Sequence, residues 1–117
     1  MNRPRILIVD EEASARSALS ELLCDSGYDV ATAATGAEGL ALVDSFRPDV
    51  LLTDVRMPGM KGFAFGEASR GKPWAPRVVF MSAYPRPHGT DALWLSKPIN
   101  IDELLAALGQ LAHGAGA

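Results

Sequence analysis

Residues 6–9, 50–53, 78–81 and 92–95 are, but for Thr53, apolar at successive positions, and no other feature of the chain constrains its fold as strongly. A strand with one wet face alternates apolar and polar side chains. Unbroken apolar runs of this length therefore read as strands covered on both faces, the signature of a parallel sheet. Residues 28–32 form a fifth, weaker run that contains Asp29 and suits the edge of such a sheet.

Helical patterns lie between these runs. Residues 13–26 place Ala15, Leu19, Leu22 and Leu23 on one stripe and stop at Gly27, which can adopt the left-handed backbone that ends a helix. Thr35 and Glu38 have the spacing of a capping box, so a second helix starts there and carries Leu40 and Val43 inward. Asn100 and Glu103 repeat that spacing before a helix whose Ile101, Leu104, Leu105, Leu108 and Leu111 share one face. Strand and helix in alternation imply right-handed crossovers with helices on both sides of the sheet, a doubly wound α/β fold. Ligands in that architecture bind beyond the carboxyl ends of the strands, so function is to be sought there.

The totals narrow the field further. A chain of 117 residues has the size of one domain, and 48% hydrophobic with 21% charged residues is a globular balance. A net charge of -3 and the lack of a basic run argue against nucleic-acid binding. No stretch resembles a signal peptide or membrane span, which predicts a cytoplasmic protein without membrane contact. Cys24 stands alone and cannot form an internal disulfide, and its setting beside Leu22 and Leu23 reads as packing or surface. Residues 113–117 form a Gly/Ala tail expected to fray.

The strand ends carry the chemistry. Asp10 and Glu11 follow the first strand, Asp54 the third, Ser82 the fourth and Lys97 the fifth. Each alone could be an ordinary turn or cap residue. Five on the same edge of one sheet point to a shared pocket. Carboxylates brought together repel one another unless a cation neutralises them, and a hard ion such as Mg²⁺ suits oxygen donors of this kind. A lysine and a hydroxyl at the same place supply the positive charge and donor that a phosphoryl group requires.

Four segments then acquire a common meaning: ILIVDEE at 6–12, PDVLLTDVRMPGMKG at 48–62, VVFMSAY at 78–84 and LSKPI at 95–99. In order and content they resemble the signature blocks of response-regulator receiver domains, stand-alone or terminal to hybrid histidine kinases. The resemblance implies a flavodoxin-like five-stranded parallel sheet of order 2-1-3-4-5. It implies that Asp54 accepts a phosphoryl group from a histidine kinase or histidine phosphotransfer protein, as a phosphoacceptor rather than a turnover enzyme. Asp10, Glu11, Asp54 and the backbone carbonyl of Arg56 would hold Mg²⁺, with Glu12 a lesser third acid. Ser82 and Lys97 would contact the phosphoryl group, Pro98 would follow a cis peptide, and Ala83, Tyr84 and Trp94 would govern access or switching. Signalling would pass to a downstream protein through contacts that depend on phosphorylation, with no output domain in this chain.

The chain also departs from the pattern. Residues 83–91 include Pro85, Pro87 and Gly89 and leave no room for an ordinary helix before the last strand, so an extended or single-turn connection is expected. The helix at 62–70 looks curtailed by Gly71, Pro73 and Pro76. Trp94 stands where relatives carry a smaller aromatic, and its preferred reading is a cover for the sheet edge that the missing helix would leave bare. Lys61 and Glu11 replace more usual acids, and the longer Glu11 is expected to shift metal affinity. His88 and His113 are isolated and read as surface residues. Two other functions share part of this pattern: a receiver-like module that no longer needs phosphate, and a phosphatase-type hydrolase using Asp54. Arg56 stands where that hydrolase would need a general acid, and the first alternative gives no reason to keep all five site residues.

Overall fold

The computed structural model describes residues 3–55, 76–86 and 93–114. Arg56, Lys61, the segment 62–70, His88 and residues 115–117 lie outside the described residues.

Five strands, β1 (Arg5–Val9), β2 (Asp29–Ala33), β3 (Val50–Asp54), β4 (Arg77–Ser82) and β5 (Leu93–Ser96), form one parallel sheet in the order β2-β1-β3-β4-β5. Three helices are described: α1 (Ala13–Asp25), α2 (Gly36–Phe46) and α3 (Ile101–Gly114). This is the flavodoxin-like doubly wound sheet that the alternation and the resemblance imply.

Side chains on a strand point to opposite faces in turn, and the unbroken apolar runs use both. Ile6 and Ile8 of β1 join Leu19 and Leu23 of α1 and Leu104 and Leu108 of α3 in one cluster. Leu7 and Val9 turn the other way and pack with Val43 of α2 and Phe80 of β4. Two dry layers thus sandwich the central strands β1, β3 and β4, which accounts for their lack of polar alternation.

Helix ends follow their local signals. Gly27 has φ 99°, and just before it α1 closes at Ser26. Thr35 Oγ1 accepts from the Glu38 N–H at 3.2 Å, and Asn100 Oδ1 accepts from the Glu103 N–H at 3.0 Å. The first box is offset: Glu38 Oε2 accepts from the N–H of Ala34, one residue before the cap.

Three expectations need correction. Among the described residues the last strand is Leu93–Ser96, reaching one residue past its expected end, and it is not covered on both faces: Leu93 is exposed and Trp94 and Leu95 are half-buried. It has only β4 as a neighbour, so it is an edge strand like β2. Ile101, at the start of α3, is 41% exposed rather than buried, because the helix meets the sheet from Leu104 onward. Finally, α3 continues through Gly114, two residues into the segment expected to fray.

Among the described residues between β4 and β5, 83–86 are not helical, and the rest of that connection, 87–92, lies outside them. No described helix is long and apolar enough to cross a membrane. Cys24 is exposed.

Candidate functional site

Parallel pairing in register sets the strand ends level with one another. Val9 lies opposite Thr53, Asp54 opposite Met81, and Ser82 opposite Ser96, so the residues that follow emerge along one edge of the sheet. Asp10 leaves β1 with its N–H on the carbonyl of Ala33, at 3.1 Å, and its side chain is 1% exposed. Asp54 ends β3 with its side chain 14% exposed, near enough to the surface for a partner to reach.

Lys97 joins the two acids. Its Nζ donates to Asp54 Oδ2 at 2.8 Å and to Asp10 Oδ2 at 3.1 Å. Burial by itself pushes the ammonium pKa down, but the hydrogen bonds to Asp54 and Asp10 and the attraction of both carboxylates outweigh it, and the pKa is raised. Lys97 therefore stays charged at neutral pH. Its backbone N–H donates to the carbonyl of Ser82 at 2.7 Å, which anchors the turn after β5 to the end of β4. The Lys97–Pro98 peptide is cis, as the resemblance implies.

Ser82 is buried, and its Oγ accepts the N–H of Tyr84 at 3.0 Å. Glu11 lies in the turn after Asp10 but is exposed. Among the described residues no three His, Cys, Asp or Glu side chains group so as to hold a metal ion. The carboxylates of Asp10 and Asp54 meet around Lys97, while Glu11 stays in water in the adjoining turn. The pair still fits a hard divalent ion, which takes one or two carboxylates and completes its shell with water and phosphate oxygens. Asp10, Asp54, Ser82 and Lys97 come to one place, and Arg56 lies outside the described residues.

Comparison with known proteins decides what such a site belongs to. The family profile of the response regulator receiver domain matches residues 6–109. The chain belongs to this family. The receiver is 35% identical over 112 residues to the positive alginate biosynthesis regulatory protein of Pseudomonas aeruginosa, covering 88% of this chain and 45% of that protein. It is 35% identical over 114 residues to the DNA-binding transcriptional regulator NtrC of Escherichia coli, covering 91% of this chain and 24% of NtrC. The chain spans about half or less of the length of these curated relatives. Among solved structures, the chemotaxis response regulator CheY4 of Vibrio cholerae superposes with a TM-score of 0.85 at 34% identity, over 94% of this chain and 99% of that one. The receiver domain of the hybrid histidine kinase CckA gives 0.82 at 35% identity, over 92% and 98%.

Near the receiver's acidic edge, Trp94 is half-buried. Its indole packs against Phe80 with ring centroids 6.1 Å apart, and its Nε1–H donates to the carbonyl of Tyr84 at 3.2 Å. The main chain of Tyr84 thereby connects Ser82 to Trp94. Reading the sequence missed one residue that touches the site, Arg16, whose Nη1 donates to the Asp10 carbonyl at 2.7 Å. A lone arginine one turn into α1, on no apolar stripe, was the only available signal.

Proposed function

We propose that this receiver accepts a phosphoryl group on Asp54 from a histidine kinase or histidine phosphotransfer protein, in a Mg²⁺-dependent step, and signals through contacts made by the phosphorylated form. The observation that carries this reading is the ammonium of Lys97 lying between Asp54 and Asp10, at the edge of the sheet where Ser82 ends β4.

A carboxylate oxygen of Asp54 forms the new bond to phosphorus as the bond from phosphorus to the donor imidazole nitrogen breaks, and the electron pair stays on that nitrogen. Lys97, already charged and directed at Asp54, meets the negative charge on the transferring group and need not reorganise. Ser82, whose Oγ accepts the Tyr84 N–H, can still donate its own hydroxyl hydrogen to a phosphoryl oxygen. Asp10, Glu11, Asp54 and the Arg56 carbonyl would hold the ion, which when bound supplies further positive charge to the phosphoryl oxygens. The product is an acyl phosphate open to water, so slow self-dephosphorylation is expected and turnover of a free substrate is not. The setting proposed is the cytoplasm.

The test is phosphotransfer from radiolabelled kinases to wild type and Asp54→Ala with and without Mg²⁺, followed by capture of proteins bound only to the modified form. Label on wild type alone, and only with Mg²⁺, is expected. Equal labelling of Asp54→Ala would overturn the assignment.

A further inference from the structure

Asp10 is held at every polar atom. Its N–H donates to Ala33, its Oδ1 accepts the N–H of Glu12 at 2.9 Å, its Oδ2 accepts from Lys97, and its carbonyl accepts from Arg16 Nη1 at 2.7 Å. Three of these partners belong to the sheet, the turn or the site itself. Arg16 alone is a long side chain from a different element, reaching back from α1, where its own N–H makes an early helical bond to Glu12.

We infer that Arg16 is a positioning residue for cation binding, acting through the peptide that joins Asp10 to Glu11. The inference rests on the reading given under Proposed function. That peptide is the hinge on which both acids hang: its carbonyl belongs to Asp10 and its nitrogen to Glu11. A charge-assisted bond of 2.7 Å is short and strong, and it fixes the plane of the peptide. With the plane fixed, the Glu12 N–H meets Asp10 Oδ1, leaving Oδ2 to face Lys97 and the pocket. Without it, the exposed Glu11 and the turn behind it lose their tether to α1. The guanidinium stands on the main-chain side of Asp10, so its effect is on geometry and opposes its effect as a charge. As a positive charge near the pocket, Arg16 would weaken binding of a cation, whereas as a tether it strengthens it.

The opposite signs make the test decisive. Mg²⁺ affinity is read from the fluorescence of the receiver's tryptophans in wild type, Arg16→Met and Arg16→Lys. Thermal unfolding of each shows that it is folded. The methionine keeps the apolar stem, so Arg16→Met should fold. Partners that orient a ligand without touching the metal typically contribute ten- to a hundredfold in affinity, so Kd should rise about tenfold in Arg16→Met, with Arg16→Lys between it and wild type. The Glu12 amide, followed by NMR, should exchange faster in Arg16→Met. A folded Arg16→Met with Kd unchanged or lower would overturn the inference while leaving the phosphoacceptor reading intact. Absence of Mg²⁺ binding by wild type would instead count against that underlying reading.

Discussion

Lys97 Nζ and Asp54 Oδ2 lie 2.8 Å apart although 43 positions separate them in the chain. The same ammonium holds Asp10, which is almost wholly buried. Replacing it by an uncharged side chain of similar length leaves two carboxylates facing each other with no counter-charge. Lys97→Met should therefore lose roughly 1–3 kcal/mol of stability, and Mg²⁺ should restore part of it by binding only the folded form. Urea unfolding with and without the ion measures both. Unchanged stability in Lys97→Met would show the ion pair to be incidental.

The same contact sets a pH dependence. The Lys97 pKa is raised on folding, so its contribution is fully present below the ordinary lysine value of 10.5 and is lost as pH climbs through the raised value. Tyr28 acts in the same direction, because burial raises its pKa above 10.0 and the folded state must lose stability before the phenol ionises. Stability should be flat with respect to these two groups near neutrality and fall above about pH 10. Tyr28→Phe and Lys97→Met should each make that alkaline fall shallower in urea titrations; a slope equal to wild type in both would contradict the account.

Tyr84 is 53% exposed and its N–H is bonded to Ser82 Oγ, which the proposed function sets beside the phosphoryl group on Asp54. Its ring should slow the arrival of water at phosphorus. Tyr84→Ala should accordingly shorten the lifetime of the aspartyl phosphate several-fold, measured as loss of label from purified phosphorylated protein. A lifetime equal to or longer than wild type would remove Tyr84 from the access route.

Trp94→Phe keeps a ring against Phe80 but deletes the bond from the indole N–H to the Tyr84 carbonyl. Tyr84 is exposed, so water can replace the lost donor, and the change should cost about 0.5–1 kcal/mol. Because that carbonyl belongs to the peptide next to Ser82's partner, the Tyr84 amide resonance should also shift. A stability loss of several kcal/mol would mean that Trp94 supports the sheet edge far more than its half-buried position indicates.

Gly27→Ala tests the turn between α1 and β2. A Cβ there would meet nothing within 4 Å, so only the backbone at φ 99° resists it. The expected loss is about 1–2 kcal/mol, the strain of a left-handed backbone for an L-residue. Thermal unfolding would detect it as a lower midpoint, and no change would show that the turn relaxes freely.

Much of this was written locally. Apolar runs on β1, β3 and β4, the caps at Thr35 and Asn100 and the stop at Gly27 are decided by a residue and its neighbours within a turn or two, so they could be read in order along the chain. The place of Asp10, Asp54, Ser82 and Lys97 at strand ends followed from the same local signals together with the resemblance. Tertiary structure alone decided the rest. The last strand was left only partly covered, Glu11 stayed exposed while Lys97 met the two acids, Arg16 reached back to Asp10, and Trp94 found the Tyr84 carbonyl. Each of those contacts depends on which strands are neighbours and how far a side chain extends across the gap. That is a property of the assembled sheet, and no stretch of sequence contains it.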